Sequence, residues 1–248
     1  MSPLGRPRLH LRSTDSTNDR ARLLAISGAP HGTLVTASLQ TAGRGRQGRR
    51  WTAPADSSLL MSLLLRSPPT LLPLIAAVAV CDAVGERARI KWPNDVVLAG
   101  APGLAAPGLA KLAGILAEGR PQEGWAILGI GLNVALRLED LPAELRERTA
   151  TLGEAPREIE PTLARLLEAL SERLSQPEVN VLEAWRARDA LLGEEITWGA
   201  PGLSGVPGRG RAEGIDGTGR LVVALAQGGH TALDAGEVHL AAVTRERG

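Results

Sequence analysis

At 248 residues, the chain has room for one large domain, or a large and a small one, with an ample core. Apolar residues make up 44% and the formal net charge is +1, which argues against a nucleic-acid or anionic-membrane partner held by a global field and confines anion binding to local sites. The one cysteine, Cys81, excludes an intrachain disulfide and fits a reducing, cytoplasmic setting.

The N-terminus lacks the apolar stretch of a signal peptide, and no apolar run reaches the ~18 residues expected of a membrane span. Ser16-Thr17-Asn18-Asp19 precede the helix-forming run Arg20–Ile26, with Gly28 as its stop. Thr33–Ala37 reads as a strand, followed by a Gly/Arg loop from Thr41 to Arg50. Ser58–Arg66 is a second strand and Leu71–Arg87 a mostly buried helix. Cys81 lies in that helix as a buried thiol rather than a nucleophile. Arg89–Lys91 is a short strand ending at a turn, Trp92-Pro93-Asn94-Asp95.

Val96–Leu98 and Leu112–Glu118 read as two strands of a hairpin. Between them the segment 101–105, Ala-Pro-Gly-Leu-Ala, is repeated at once as 106–110, a loop expansion rather than a repeat fold. Trp125–Val134 is another strand, with two glycines near its end. Pro161–Leu174 and Val179–Leu192 are helices. Beyond Gly193 only short strands remain, Glu195–Trp198, Gly210–Ile215 and Leu221–Leu225, with Asp216-Gly217 as a hairpin turn. The order predicts an α+β domain over residues 1–192, a mixed central sheet flanked by helices, followed by a small β barrel over 193–248. Tyrosine and phenylalanine are absent, so the five tryptophans are the only large aromatic side chains.

Two motifs carry most of the chemistry. In Gly43-Arg44-Gly45-Arg46-Gln47-Gly48-Arg49-Arg50-Trp51 the glycines free the backbone and the arginines seek anions. The loop reads as a mobile clamp on a carboxylate or phosphate, as a solvated basic loop, or as an RNA contact. In Lys91-Trp92-Pro93-Asn94-Asp95 a cation, an amide and a carboxylate fall within five residues. Trp92 packs under a site or stacks on a base there, Asp95 binds magnesium or orients an amine, or the segment is ordinary turn chemistry. Lys111, entering the strand Leu112–Leu116, is either a solvated edge or a cation for a reacting oxygen. Gly129-Ile130-Gly131-Leu132-Asn133 marks close approach by a ligand or a bulge. Ser16-Thr17-Asn18 serves as a polar ligand site or as a plain helix cap. No zinc-ligand spacing and no Walker-type loop is present.

Taken in this order, Ser16-Thr17-Asn18, Gln40, the Gly/Arg loop, Lys91–Asp95, Lys111–Leu116 and Gly129–Val134 resemble the biotin–protein ligase family, also called biotin–acetyl-CoA-carboxylase ligase, over essentially the whole chain. The resemblance implies a catalytic domain like that of class II aminoacyl-tRNA synthetases, with an SH3-like C-terminal module. It implies that ATP and biotin, with Mg2+, form biotinyl-5′-AMP, and that biotin then passes to a lysine of a biotin carboxyl carrier protein. By the same resemblance Ser16, Thr17, Asn18, Gln40, Arg44, Gly45, Arg46 and Lys111 hold biotin. Arg46, Trp51, Lys91, Trp92, Asn94, Asp95, Gly131 and Asn133 lie at the nucleotide. Lys111, Arg44 and Asp95 take the catalytic roles, Asp95 also standing as the metal ligand. Too few residues precede Ser16 for a helix-turn-helix, so the ligase-only type is expected. Members of the family often form homodimers.

Three other readings compete. A lipoate-type ligase shares the fold and the adenylate logic, but the pairing of the two motifs favours biotin. A nucleic-acid module would use the arginine loop and the barrel, against the near-zero charge and the missing aromatic platform. A non-enzymatic biotin sensor would bind without releasing pyrophosphate.

Overall fold

Apolar runs broken by glycine and proline fold into a seven-stranded sheet in the chain's computed structural model, which describes residues 4–99, 108–120, 123–199, 208–234 and 238–240. Its strands are β1 (Arg8–Leu11), β2 (Leu34–Ala37), β3 (Ser58–Arg66), β4 (Ala88–Lys91), β5 (Asp95–Ala99), β6 (Leu109–Arg120) and β7 (Trp125–Asn133), in the order β1-β2-β3-β7-β6-β5-β4. β1 and β2 run parallel and every other neighbouring pair is antiparallel, so the sheet is mixed as expected. The helices are α1 (Thr17–Ile26), α2 (Leu72–Val84), the short α3 (Ala143–Arg146), α4 (Ile159–Ser175) and α5 (Glu178–Arg186).

Strand side chains alternate between faces, and the two faces differ in use. On one, Met61, Leu63, Ile115, Leu128 and Ile130 join a large core with α2, α4 and α5. α2 is apolar nearly all round because the sheet covers one side and α4 and α5 the other. Asp82 of α2 ties this layer together, its two carboxylate oxygens each 2.7 Å from a guanidinium, Arg173 of α4 and Arg188 beyond α5. Cys81 is fully buried here, and burial pushes its thiol up to about 12, so it stays protonated and inert. On the other face α1 buries Ala21 and Ala25 against Val35, Leu64 and Ile127. α1 is short and covers β2, β3 and β7. The same face of β6 and β5 is left for the site.

Several boundaries differ from the sequence reading, each for a local reason. α2 stops at Val84 because Gly85 adopts φ 103°. α5 stops at Arg186 instead of running to residue 192. The chain beyond it lies alongside β4, where Ile90 N donates to Arg188 O at 2.8 Å and Ala190 N to Ile90 O at 2.9 Å. Asp189 is half-buried in that seam, and the burial of its carboxyl pushes it up to about 6. β1 carries no long apolar alternation and escapes a pattern search. The expected hairpin is present as β5 and β6, but most of the doubled Ala-Pro-Gly-Leu-Ala segment lies outside the described residues; Leu109 and Ala110 at its end open β6.

The C-terminal strands β8 (Glu195–Trp198), β9 (Gly208–Ile215), β10 (Leu221–Leu225), β11 (His230–Leu233) and β12 (Val238–Leu240) form an antiparallel sheet in the order β11-β10-β9-β8-β12. Among the described residues β11 and β12 are free edges, so the sheet is open rather than the closed barrel expected. The turn at Asp216 spans more than the expected two residues: Asp216 N donates to Arg220 O at 3.0 Å, and Gly219 takes the positive φ. Ile196, Ile215, Leu221 and Val223 join the core of the larger sheet. No helix among the described residues is long and apolar enough to cross a membrane.

Candidate active site

The site is a row of bare backbone on the open half of the sheet. Asp95 pairs with Gly114, Gly114 with Gly131 and Gly131 with Leu60, so the four share one face. Trp51 lies over the glycines. A Cβ on Gly131 would stand 2.6 Å from Trp51 Cε2, and one on Gly114 3.0 Å from Trp51 Cζ3. Only glycine admits the indole at that height. The two glycines thus mark a seat for an aromatic side chain, beside a cavity of about 130 Å³ that all three line. The Trp51 Nε1 is buried without a hydrogen-bond partner, a donor at the wall that a ligand oxygen can use.

Lys111 reaches this row through a bulge. Val96 pairs with Ala113 but Val97 with Lys111, so Leu112 is the extra residue. Residues three apart in an unbroken strand face opposite ways. The bulge brings Lys111 onto the face of Gly114, where a Cβ would be 3.0 Å from Lys111 Cε. β-bulges re-aim side chains in this way next to active sites. Leu112 and Ala113 both turn into the core. The ammonium sits 2.7 Å from Asp95 Oδ1 and 5.6 Å from the centroid of the Trp51 ring.

A polar network borders the row at the start of α1. The Ser16 side chain does not cap the helix. Gln40 does so from outside, its Oε1 accepting from Thr17 N at 2.8 Å and from Thr17 Oγ1 at 3.0 Å. Ser62 Oγ lies 2.6 Å from Asn18 Oδ1 and 2.8 Å from Thr17 Oγ1. Asn18 packs over Gly129, where any Cβ would collide with its Oδ1. Asn18 Nδ2 donates to Glu118 Oε2 at 2.8 Å. Ser16, Thr17, Asn18 and Gln40 all line the cavity.

The Gly/Arg segment folds as a small ribbon over these groups. Trp51 N donates to Gly43 O at 2.9 Å and Gly45 N to Arg49 O at 2.7 Å, with one 3-10 turn at Arg46–Gly48. Gly43 is required, since a Cβ would stand 2.5 Å from Trp51 O. Arg44 and Arg46 part ways here. The Arg44 guanidinium is held by carboxylates, Asp19 at 2.7 Å and Glu118 at 2.8 Å. These pairs fasten the ribbon, and Arg44 lines both cavities of the site. Arg46 Nη1 donates to Asn94 Oδ1 at 3.2 Å, on the boundary between the first cavity and a second one of about 500 Å³ that Arg44, Gly45, Arg46, Asn94, Ile115 and Leu116 also line. The two adjoining cavities make a ligand-sized cleft.

Not every predicted residue meets in this cleft. Asn94 does, its Nδ2 fixed by Ile115 O at 2.9 Å. Trp92, 2% exposed, lines the larger cavity as well, and its Nε1 donates to Gly219 O at 3.1 Å and so ties the turn of the C-terminal sheet to the larger sheet. Lys91 stands at the end of the row, paired with Asp95 across the β4–β5 hairpin, outside the lining of both cavities. Asn133 is buried beneath, with Nδ2 on Ala150 O at 2.9 Å and Oδ1 accepting from Ser58. It holds the strand end and does not line the cleft. Glu118, Asp19 and Ser62 were missed by the sequence reading. One further signal was available there: of 28 basic residues only two are lysine, Lys91 and Lys111, and both belong to the site motifs. A chain that uses arginine everywhere else retains the compact ammonium at these two positions.

Magnesium that arrives with ATP needs only one or two protein carboxylates beside the phosphates. Among the described residues, no group of three His, Cys, Asp or Glu could hold a metal, and Asp95, the expected ligand, is paired with Lys111.

Residues 10–134 match the Biotin/lipoate A/B protein ligase family. Of similar proteins, the Mycobacterium tuberculosis "Biotin--[acetyl-CoA-carboxylase] ligase" is 34% identical over 243 residues, covering 91% of this chain and 85% of that one. The Bacillus subtilis "Bifunctional ligase/repressor BirA" is 40% identical over 152 residues, 56% of this chain, and the match spans only 44% of the relative's length. Among solved structures, the biotin protein ligase from Aquifex aeolicus in complex with biotin and ATP superposes with a TM-score of 0.77 at 25% identity, over 95% of this chain and 100% of that one. The matched residues hold the glycine row, the Gly/Arg ribbon, Lys111 and the start of α1, and with the match covering half of the chain or more, the chain belongs to the Biotin/lipoate A/B protein ligase family.

Proposed function

We propose that the chain is an ATP-dependent biotin–protein ligase. The observation that carries this reading is the bulge that brings the Lys111 ammonium onto the glycine row beside the unpartnered Trp51 N–H. A cation and a neutral donor thus converge on a cleft bordered by the polar start of α1. The relatives that align over most of this chain are named for biotin and acetyl-CoA carboxylase, which supports biotin as the acid.

The reaction has two steps. A carboxylate oxygen of biotin attacks the α-phosphorus of ATP. The P–O bond to it forms as the bond to the β-phosphate breaks, and pyrophosphate leaves. The uncharged amine of a carrier lysine then attacks the acyl carbon, its proton passes to solvent, and AMP departs. Gln40, Thr17, Ser16 and Asn18 suit a small, polar, uncharged ring, while Lys111 and Arg46 suit the oxygens on which charge builds during phosphoryl transfer. Asp95 holds the Lys111 ammonium in place. Trp51, Asn94 and Gly131 border the nucleotide side, with Arg46 between the two substrates. Magnesium enters with the ATP phosphates, which supply most of its ligands. The ribbon keeps water from the mixed anhydride.

Residues 1–192 carry most of the cleft, with Thr218, Gly219 and Asp234 lining its larger cavity from the C-terminal part, and 193–248 are an SH3-like module in which β12 lies beside β8. A cytoplasmic setting, where ATP is at hand, suits this reading. The test is intact-mass analysis of a biotin carboxyl carrier domain incubated with the protein, ATP, Mg2+ and either biotin or lipoate. One biotinyl group on the carrier lysine, and no lipoyl group, is the expected outcome. Lipoyl transfer without biotinyl transfer would overturn the choice of acid.

A further inference from the structure

Glu118 is the meeting point of three elements that border the cleft. It lies on β6, 21% exposed at the side chain, on the same face as Gly114 and Leu116. Both of its oxygens are used. Oε1 accepts from Arg44 Nη2 of the ribbon at 2.8 Å and from Arg22 Nη2 of α1 at 3.3 Å; Oε2 accepts from Asn18 Nδ2 at 2.8 Å. The last bond fixes which way the Asn18 amide points, because the other end of that amide faces the Ser62 hydroxyl at 2.6 Å. Ser62 in turn meets Thr17, Thr17 meets Gln40, and Gln40 packs against Gly43, where the ribbon begins. The contacts close a ring: ribbon, Glu118, Asn18, Ser62, Thr17, Gln40, ribbon. Glu118 is the one carboxylate in that ring, and it lines the larger cavity rather than the smaller.

We propose that Glu118 is a positioning residue that couples closure of the Gly/Arg ribbon to orientation of the Asn18 amide, so that the lid and the polar border for the acid form together; this rests on the biotin-ligase reading. Glu118 touches no reacting atom and acts through Arg44 and Asn18. A glutamine there has nearly the same shape, but it turns an NH2 toward either Arg44 or Asn18, both of which are donors. The ring then opens on one side.

The experiment compares wild type, Glu118→Gln and Glu118→Asp by steady-state pyrophosphate release and by hydrogen exchange of the 43–51 amides, with and without biotin. For Glu118→Gln the KM for biotin should rise at least tenfold while the KM for ATP changes less than threefold, and the ribbon amides should exchange faster in both states. Glu118→Asp keeps the charge and should fall between. Adding Arg44→Gln to Glu118→Gln should cost less than the two single effects combined, because one contact serves both. A folded Glu118→Gln with unchanged KM for biotin and unchanged ribbon exchange overturns the proposal, as does equal loss in both KM values. The exchange measured without biotin tests the tether even in a protein that releases no pyrophosphate, an outcome that would sink the ligase reading separately. Should Glu118→Gln not fold, Glu118→Asp decides by the same readouts.

Discussion

Replacing Lys111 by glutamine is expected to lower the rate of adenylate formation by about 10²–10³-fold, the usual loss when one fixed donor is removed from developing negative charge. The side chain is held from three directions. Asp95 Oδ1 lies 2.7 Å from the ammonium, the Trp51 ring centroid 5.6 Å, and Gly114 leaves the space its stem crosses. The backbone is equally tied, with Lys111 N donating to Arg148 O at 2.7 Å and Lys111 O accepting from Ala150 N at 2.8 Å. Glutamine keeps these backbone bonds, so the fold should survive. Arginine should not restore the rate, because its planar fork is larger than the seat over Gly114. Single-turnover pyrophosphate release with saturating biotin and ATP separates this from weakened binding. A Lys111→Gln rate within threefold of wild type would remove the cation from the mechanism.

Gly131→Ala is the second large effect expected. A single methyl would come within 2.6 Å of Trp51 Cε2 and 2.9 Å of two further ring atoms. The indole is rigid and its underside is backbone, so it must leave its seat. Overpacking of this kind costs about 1–3 kcal/mol, and since 1.4 kcal/mol is tenfold, binding of the acid and nucleotide should weaken by roughly ten- to a hundredfold. Gly217→Ala is the control, as nothing stands within 4 Å of a Cβ there. The cause can be isolated with Trp51→Leu. If the clash is with the indole, Gly131→Ala should add little to a Trp51→Leu background. Equal penalties in the two backgrounds, measured by calorimetry with biotin, would move the cause elsewhere.

Both predictions depend on features of unequal visibility in the sequence. The glycines at 129 and 131 read as a close approach to the backbone or as a bulge, both common uses of glycine inside a strand, and Gly114 joins them in the structure. Which group approaches is not legible. Two of the three are covered by Trp51, from a loop more than sixty residues away in sequence, and the third by Asn18. The strand that carries Lys111 is legible from its apolar run, but the bulge at Leu112 is a matter of pairing with β5 and leaves no mark in composition. Without the bulge the alternation would put Lys111 on the face opposite Gly114. Arg44 illustrates a different limit. Its sequence context says that it seeks an anion, and the carboxylates beside it in the structure, Asp19 and Glu118, come from distant parts of the same chain. Glu118 itself is one of 27 acidic residues, and only the sheet register brings it beside α1. Trp92 and Asn133 lie in motifs that read as nucleotide contacts, and their polar atoms also bond to Gly219 O and Ala150 O, ties across distant segments that no local pattern reveals.

The division of labour among the cations follows from these contacts. Arg44 secures the ribbon, Arg46 stands at the junction of the two cavities, and Lys111 faces the glycine row. On the proposed reading, the charge that neutralises the reacting oxygens is supplied by different elements, β6 and the ribbon.

The most direct measurement of this account is pyrophosphate release from ATP and Mg2+, with biotin, with lipoate and with neither acid. Release that requires biotin and is absent with lipoate is the predicted result. Equal release with and without an acid, or none from folded protein at saturating biotin, would contradict it.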